Sequence, residues 1–110
     1  MGHRLVIMPR AERDVEKILI FLKRHSRDGA QRWFSAFETV LQRLREAPTS
    51  YGFAPEDGMG GYQLHQVLFK TRRGRTYRAV FTIRDNTIFI LRVRGPGQAP
   101  LTADELPPTP

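Results

Sequence analysis

The sequence contains no cysteine, so disulfides, thiolate catalysis and thiolate-bound metal are excluded. Freedom from disulfides fits a reducing compartment, and the expected location is the cytoplasm. No apolar run approaches the ~20 residues that a membrane-crossing helix needs, so no membrane association is expected. The opening MGHRLVIMPR has too short an apolar stretch for a secretory signal. Its three histidines, His3, His25 and His65, are dispersed and stand beside no carboxylate cluster, which makes a poor metal site. No metal and no cofactor are expected. No internal repeat is visible. Acid is also scarce where it matters. From Gln63 to Arg94 the chain carries Lys70, Arg72, Arg73, Arg75, Arg78, Arg84, Arg92 and Arg94, opposed only by Asp85. That stretch therefore holds the whole formal net charge of +7, and the remaining segments cancel. A sequence pI near 10.8 favours a polyanionic or acidic partner.

What is present reads as one domain of 110 residues, expected to span residues 1–106, with Pro107 to Pro110 a disordered tail. Arg4 to Met8 is a short strand stopped by Pro9, which suits the first turn of a helix. Arg10 to His25 has helical periodicity, with Ala11, Val15, Ile18, Leu19 and Leu22 on one stripe. After a break at Ser26 to Gly29, where Asp28 is a possible cap, Ala30 to Ala47 forms a second amphipathic helix. Its stripe is Ala30, Trp33, Phe34, Phe37, Val40, Leu41 and Leu44. The short link predicts an antiparallel helical hairpin. Pro48 to Gly61 is a long loop rich in glycine and proline, pinned to the surface by Tyr51 and Phe53.

Three strands follow. They are Tyr62 to Phe69, Thr76 to Arg84 and Thr87 to Arg94. The first two are joined by the basic loop Lys70 to Arg75, the last two by the Asp85-Asn86 hairpin turn. Alternation puts Tyr77, Ala79, Phe81 and Ile83 on one face with Phe89, Leu91 and Val93, and that face should meet the helices. Arg78, Arg84, Arg92 and Arg94 fall on the other. The order β-α-α-β-β-β predicts an α+β fold, with the helical hairpin packed on one face of a mainly antiparallel four-stranded sheet.

Together, the opening MPRAERDVEKI, the Tyr77-Arg78 pair before an apolar strand, and the hairpin FTIRDNTIFILRVR resemble the RelE/ParE toxin family of bacterial type II toxin–antitoxin systems. The resemblance runs from Leu5 to Arg94, with a fainter echo at Pro100 to Leu106. It implies a toxin neutralised by a separate acidic antitoxin in a hetero-oligomer. RelE-like members cleave mRNA on the ribosome without a metal, whereas ParE-like members poison DNA gyrase. Under the first reading Arg78 matches the family's strand arginine and would bind phosphate. Lys70 is a second cation at a strand end, and His65 is the one neutral-pH acid or base in the sheet region. Arg78→Ala should then keep the fold and abolish toxicity. Under either reading Arg72, Arg73, Arg75, Arg92 and Arg94 are candidates for binding target or antitoxin. Each has a plainer alternative: a solvated strand arginine, a loop lysine, a structural histidine. RNA-cleaving relatives place an arginine and a tyrosine or histidine after the last strand. Here no Arg, Lys, His or Tyr follows Arg94, and Gln98 stands where the arginine is expected. That departure tilts the choice toward gyrase. The alternative from another class is a non-toxic basic module that binds nucleic acid with the same sheet face.

Overall fold

A computed structural model describes residues 2–110. The elements are β1 (Arg4–Ile7), α1 (Pro9–Lys23), α2 (Arg27–Glu46), β2 (His65–Phe69), β3 (Tyr77–Arg84) and β4 (Thr87–Arg94). The sheet order is β1-β4-β3-β2. β1 runs parallel to β4, and the other two pairings are antiparallel. The architecture is the α+β arrangement that the periodicities predict.

Local chemistry explains most boundaries. Pro9 occupies the first turn of α1, where its missing N–H costs nothing. α2 begins three residues earlier than its apolar stripe. Its cap is Ser26 rather than Asp28: the Ser26 hydroxyl accepts from the Gly29 N–H at 2.9 Å, and Asp28 lies in the first turn, where the helix dipole favours acid. Asp85 and Asn86 both have positive φ, 48° and 63°, as a tight two-residue hairpin requires.

The helices cover one face of the sheet. Trp33, Phe37 and Leu44 of α2 pack with Ala11 and Val15 of α1 against Val67, Phe69, Ala79, Phe81, Ile88, Ile90 and Val93. The opposite face is also covered, which alternation alone did not reveal. Ala54 of the long loop, Tyr62 and Leu64, which precede β2 because that strand starts at His65 rather than Tyr62, and Leu101 and Leu106 from the C-terminal segment pack on Val80 and Leu91. The molecule is therefore three layers thick.

One facing assignment is corrected. Phe89 and Leu91 do not point toward the helices; they belong to the second core, while Ile88 and Ile90 take the helix side. The cause is a bulge. Val80 pairs with Arg92, but the next residue, Phe81, pairs with Ile90, so Leu91 is an extra residue in β4. Alternation changes phase there, and Val93 returns to the helix side.

The loop after α2 is ordered by backbone pairing. The Ala54 N–H donates to the Leu64 carbonyl at 2.8 Å and the Gln66 N–H to the Gly52 carbonyl at 3.1 Å, so residues 52–54 lie along the outer edge of β2. The Leu64 N–H donates to Asp57 Oδ1 at 2.8 Å. At the far end of the chain, the Tyr62 hydroxyl donates to the Pro107 carbonyl at 2.6 Å. No described helix is long and apolar enough to cross a membrane.

Candidate functional site

Arg78 lies on the face of the sheet that the loop and the C-terminal segment cover. Its Nη1 donates to Glu56 Oε1 at 2.8 Å and to Gln66 Oε1 at 3.2 Å, and its Nη2 pairs with Glu56 Oε2. Glu56 is only 5% exposed and also accepts the Leu101 N–H at 2.9 Å. The Arg78 hydrogen bonds pull the Glu56 carboxyl down from 4.5 to about 2 against the opposing effect of burial, with help from the Leu101 N–H. Arg78 is thus a fork that ties the loop and the C-terminal segment to the sheet. A phosphate approaching it would have to displace a buried carboxylate.

The neighbouring arginines are engaged in the same way. Arg92 sits across from Val80 and Arg94 across from Arg78. Arg92 makes a bidentate pair with Asp14 of α1, Nε to Oδ2 at 2.8 Å and Nη2 to Oδ1 at 2.9 Å. These bonds hold its guanidinium still more firmly in the charged form. Its Nη1 donates to the Glu105 carbonyl at 3.0 Å. Arg94 donates to the Ala99 carbonyl at 2.8 Å and lies 3.3 Å from the Glu105 carboxylate. Asp14 also accepts the Val93 N–H at 2.9 Å. That amide has no strand partner because β1 ends opposite Ile90. Three carboxylates from remote segments, Asp14, Glu56 and Glu105, therefore neutralise Arg78, Arg92 and Arg94, while Arg84, at the end of β3 on the same face, is exposed and takes part in no ion pair among the described residues. Nothing in the local sequence around the three carboxylates announces the role.

His65 faces the other way. It shares the helix side with Val67 and Phe69 and lies between the rings of Phe53 and Phe81, with centroids 4.6 and 5.3 Å away. Its Nδ1 is buried without a hydrogen-bond partner. The sheet separates it from Arg78, so these two candidates do not form one constellation. Lys70 follows β2 directly and is exposed, as are Arg72, Arg73 and Arg75. None of these four takes part in an ion pair among the described residues.

Arg72, Arg73 and Arg75 border a groove of about 950 Å³. Its walls are the last turns of α1, the start of α2, the β2–β3 loop and the Gly95-Pro96 turn. Ile18, Phe21, Leu22, Trp33 and Tyr77 supply apolar surface. Lys17 and Arg32 join Arg72, Arg73 and Arg75 at the rim, and no Asp or Glu lines it. The basic loop was visible in the sequence. The helix contributions were not, although Phe21 lies off the apolar stripe of α1 and is 57% exposed, a signal that a large side chain there serves something besides the core. The loop is held tight by the Gly74 N–H, which donates to the Thr71 carbonyl at 3.1 Å, and a side chain at Gly74 would meet Thr71 Oγ1.

The model of the ParE toxin of type II toxin–antitoxin systems, parDE, matches residues 5–100. The chain belongs to the ParE toxin family. Among solved structures, it is similar to a mutant of the E. coli toxin RelE in the free state, with a TM-score of 0.55 and 16% identity, over 88% of this chain and 86% of that one. It is also similar to the toxin–antitoxin complex RelBE2 from Mycobacterium tuberculosis, with a TM-score of 0.50 and 22% identity, over 86% of this chain and 99% of that one. A search of curated proteins finds no match. The two structural likenesses bear on the fold alone.

As a ParE family toxin, the chain presents two chemically different faces. One is a saturated arginine stripe under the loop and the C-terminal segment. The other is an open, acid-free groove at the end of the helical hairpin. Among the described residues, no group of three or more His, Cys, Asp or Glu side chains could hold a metal ion.

Proposed function

We propose that this type II toxin arrests growth without cleaving RNA, by poisoning DNA gyrase, and that a cognate acidic antitoxin neutralises it in the cytoplasm. The observation that carries this reading is the engagement of Arg78 by Glu56. Metal-free cleavage of RNA needs a base for the 2′ proton, a cation for the developing phosphate charge and an acid for the leaving oxygen. Arg78, Arg92 and Arg94 are committed to in-chain carboxylates, His65 lies on the opposite face, and residues 95–110 hold no Arg, Lys, His or Tyr to serve as the acid, with Gln98 where an arginine is expected. Gyrase poisoning makes none of these demands on the chain.

The second reading is ribosome-dependent mRNA cleavage, favoured by the exposed cations Lys70, Arg72, Arg73 and Arg75, which suit phosphate contact. Pulse labelling in the first minutes after induced expression separates the two. The proposal expects DNA synthesis to fall before protein synthesis. An earlier fall in protein synthesis would transfer the target to the ribosome. If neither falls while soluble protein accumulates, the chain acts as a binding module only.

A further inference from the structure

Arg10, Arg13 and Lys17 are spaced i, i+3 and i+7 along α1, which stacks them on one side of the helix. Arg13 and Lys17 are exposed, and Arg10 is half-buried. None of the three takes part in an ion pair among the described residues. They line a cleft of about 250 Å³ between α1 and the C-terminal segment, walled by charged side chains alone. The acids of that cleft are already engaged. Asp14 is held by Arg92 and the Val93 N–H, and Asp104 accepts the Thr102 hydroxyl. Glu105 accepts the Thr102 N–H at 2.9 Å and lies beside Arg92 and Arg94. Arg10 gives one N–H to the Asp104 carbonyl at 2.7 Å. Lys17 lines both this cleft and the groove beside the β2–β3 loop, so the row runs on to Arg72, Arg73 and Arg75. Glu12 and Glu16, the other acids of α1, line neither concavity.

We infer that this row seats the phosphate backbone of a DNA duplex without reading its sequence. That the polyanion is DNA rests on the gyrase reading above; that it is a phosphate backbone rests on the chemistry of the row. From Arg10 to Lys17 the helix rises about 10 Å. A duplex carries on each strand one phosphate per about 3.4 Å of its axis, so three cations over that rise meet about three phosphates. The arginine forks can take a phosphate at two points, and Lys17 adds a point charge. The loop cations extend the contact past the end of the cleft.

Other partners fit less well. A protein surface binds through apolar anchors at the centre of the contact, and no apolar side chain lines the cleft. A single-stranded nucleic acid needs open ring faces on which bases stack, and no ring lines it either. The acidic C-terminal segment of this chain already forms one wall, yet it gives Arg10, Arg13 and Lys17 no carboxylate.

The test is the fluorescence anisotropy of a labelled duplex of about 20 base pairs, titrated with the purified chain between about 50 and 200 mM salt. With about six phosphates neutralised, the logarithm of the affinity should fall with that of the salt concentration at a slope of about −5, a loss on the order of a thousandfold over that range. Duplexes of unrelated sequence should bind alike. The double substitution Arg13→Ala, Lys17→Ala should weaken binding at least about tenfold and make the slope shallower by about two. Arg43→Ala, Arg45→Ala removes the same charge from exposed positions of α2 that line neither concavity, and should leave the affinity within about threefold. All four side chains are exposed, so circular dichroism should show folded variants. A slope shallower than about −2 would overturn the inference, as would equal losses from the two double variants, which would reduce the binding to net charge. Tighter binding of a poly-glutamate of equal charge, or of an RNA duplex of the same sequence, would hand the row to an acidic protein or to RNA instead. No gyrase is present in this titration. Failure to bind the duplex leaves the order of synthesis arrest unchanged, and an earlier fall in protein synthesis leaves the duplex affinity unchanged.

Discussion

Replacing Glu56 with glutamine removes one charge from a nearly dry ion pair. The carboxylate is 5% exposed and accepts from both nitrogens of the Arg78 fork and from the Leu101 N–H. Holding that carboxyl at about 2 instead of 4.5 is worth about 3 kcal/mol of stability at neutral pH. The folded value lies below the unfolded one. The contribution is therefore complete above about pH 5, fades as pH falls through 4.5, and is lost near pH 2. Glu56→Gln should cost about 2–4 kcal/mol at pH 7, because Arg78 is left without its counter-charge. With a slope of about 1–2 kcal/mol/M, the urea midpoint should fall by about 1–4 M. The gap between the two proteins should shrink to about half at pH 3. Equal midpoints at pH 7, or a gap that does not narrow in acid, would refute the assignment. The same geometry changes what Arg78→Ala is expected to show. That variant strands a buried carboxylate, so any loss of toxicity reads first as lost stability rather than lost chemistry.

Two further substitutions test the rest of the covered face. Asp14→Asn removes a charged partner of Arg92 and weakens the acceptor for the Val93 N–H, so it should cost about 2–3 kcal/mol in chemical denaturation and speed hydrogen exchange at the Val93 amide. Leu101→Ala opens a cavity in the second core and should cost about 2–4 kcal/mol, measured the same way, although Leu101 lies in a segment with no strand or α-helix.

The order of elements was legible because each carries its own period: 3.6 residues in the two helices, two in the strands, with Pro9, Pro48 and Asp85-Asn86 as punctuation. The placement of Ser26 as the cap shows the limit, since Ser26 and Asp28 are equally good cap residues and only the backbone path decides. The facing of Phe89 and Leu91 was illegible because a bulge depends on the partner strand. The fate of the arginines was illegible for a related reason. Glu56 lies in the irregular run PEDG, Asp14 reads as an ordinary acid near a helix start, and Glu105 sits in a proline-rich tail; each acquires its partner only through tertiary contact. Of the groove, the sequence disclosed the loop cations but not Lys17, Arg32 or Phe21, which reach it by the packing of the hairpin.

The extra residue in β4 has a consequence for how this chain is lined up with its relatives. Ile88 and Ile90 count in one frame, Val93 in the other, and Leu91 marks the change. A relative whose fourth strand lacks the additional residue matches the first half of β4 without a gap and the second half only with one. Deleting Leu91 would leave Ile88, Ile90 and Val93 in step on the helix side and Arg92 and Arg94 in step on the other. Deleting Phe89 would instead turn Ile88 toward the second core, or bring Ile90 there, unless the pairing with β1 slipped as well. In this strand, the position of a gap carries more meaning than the identity of the residue beside it.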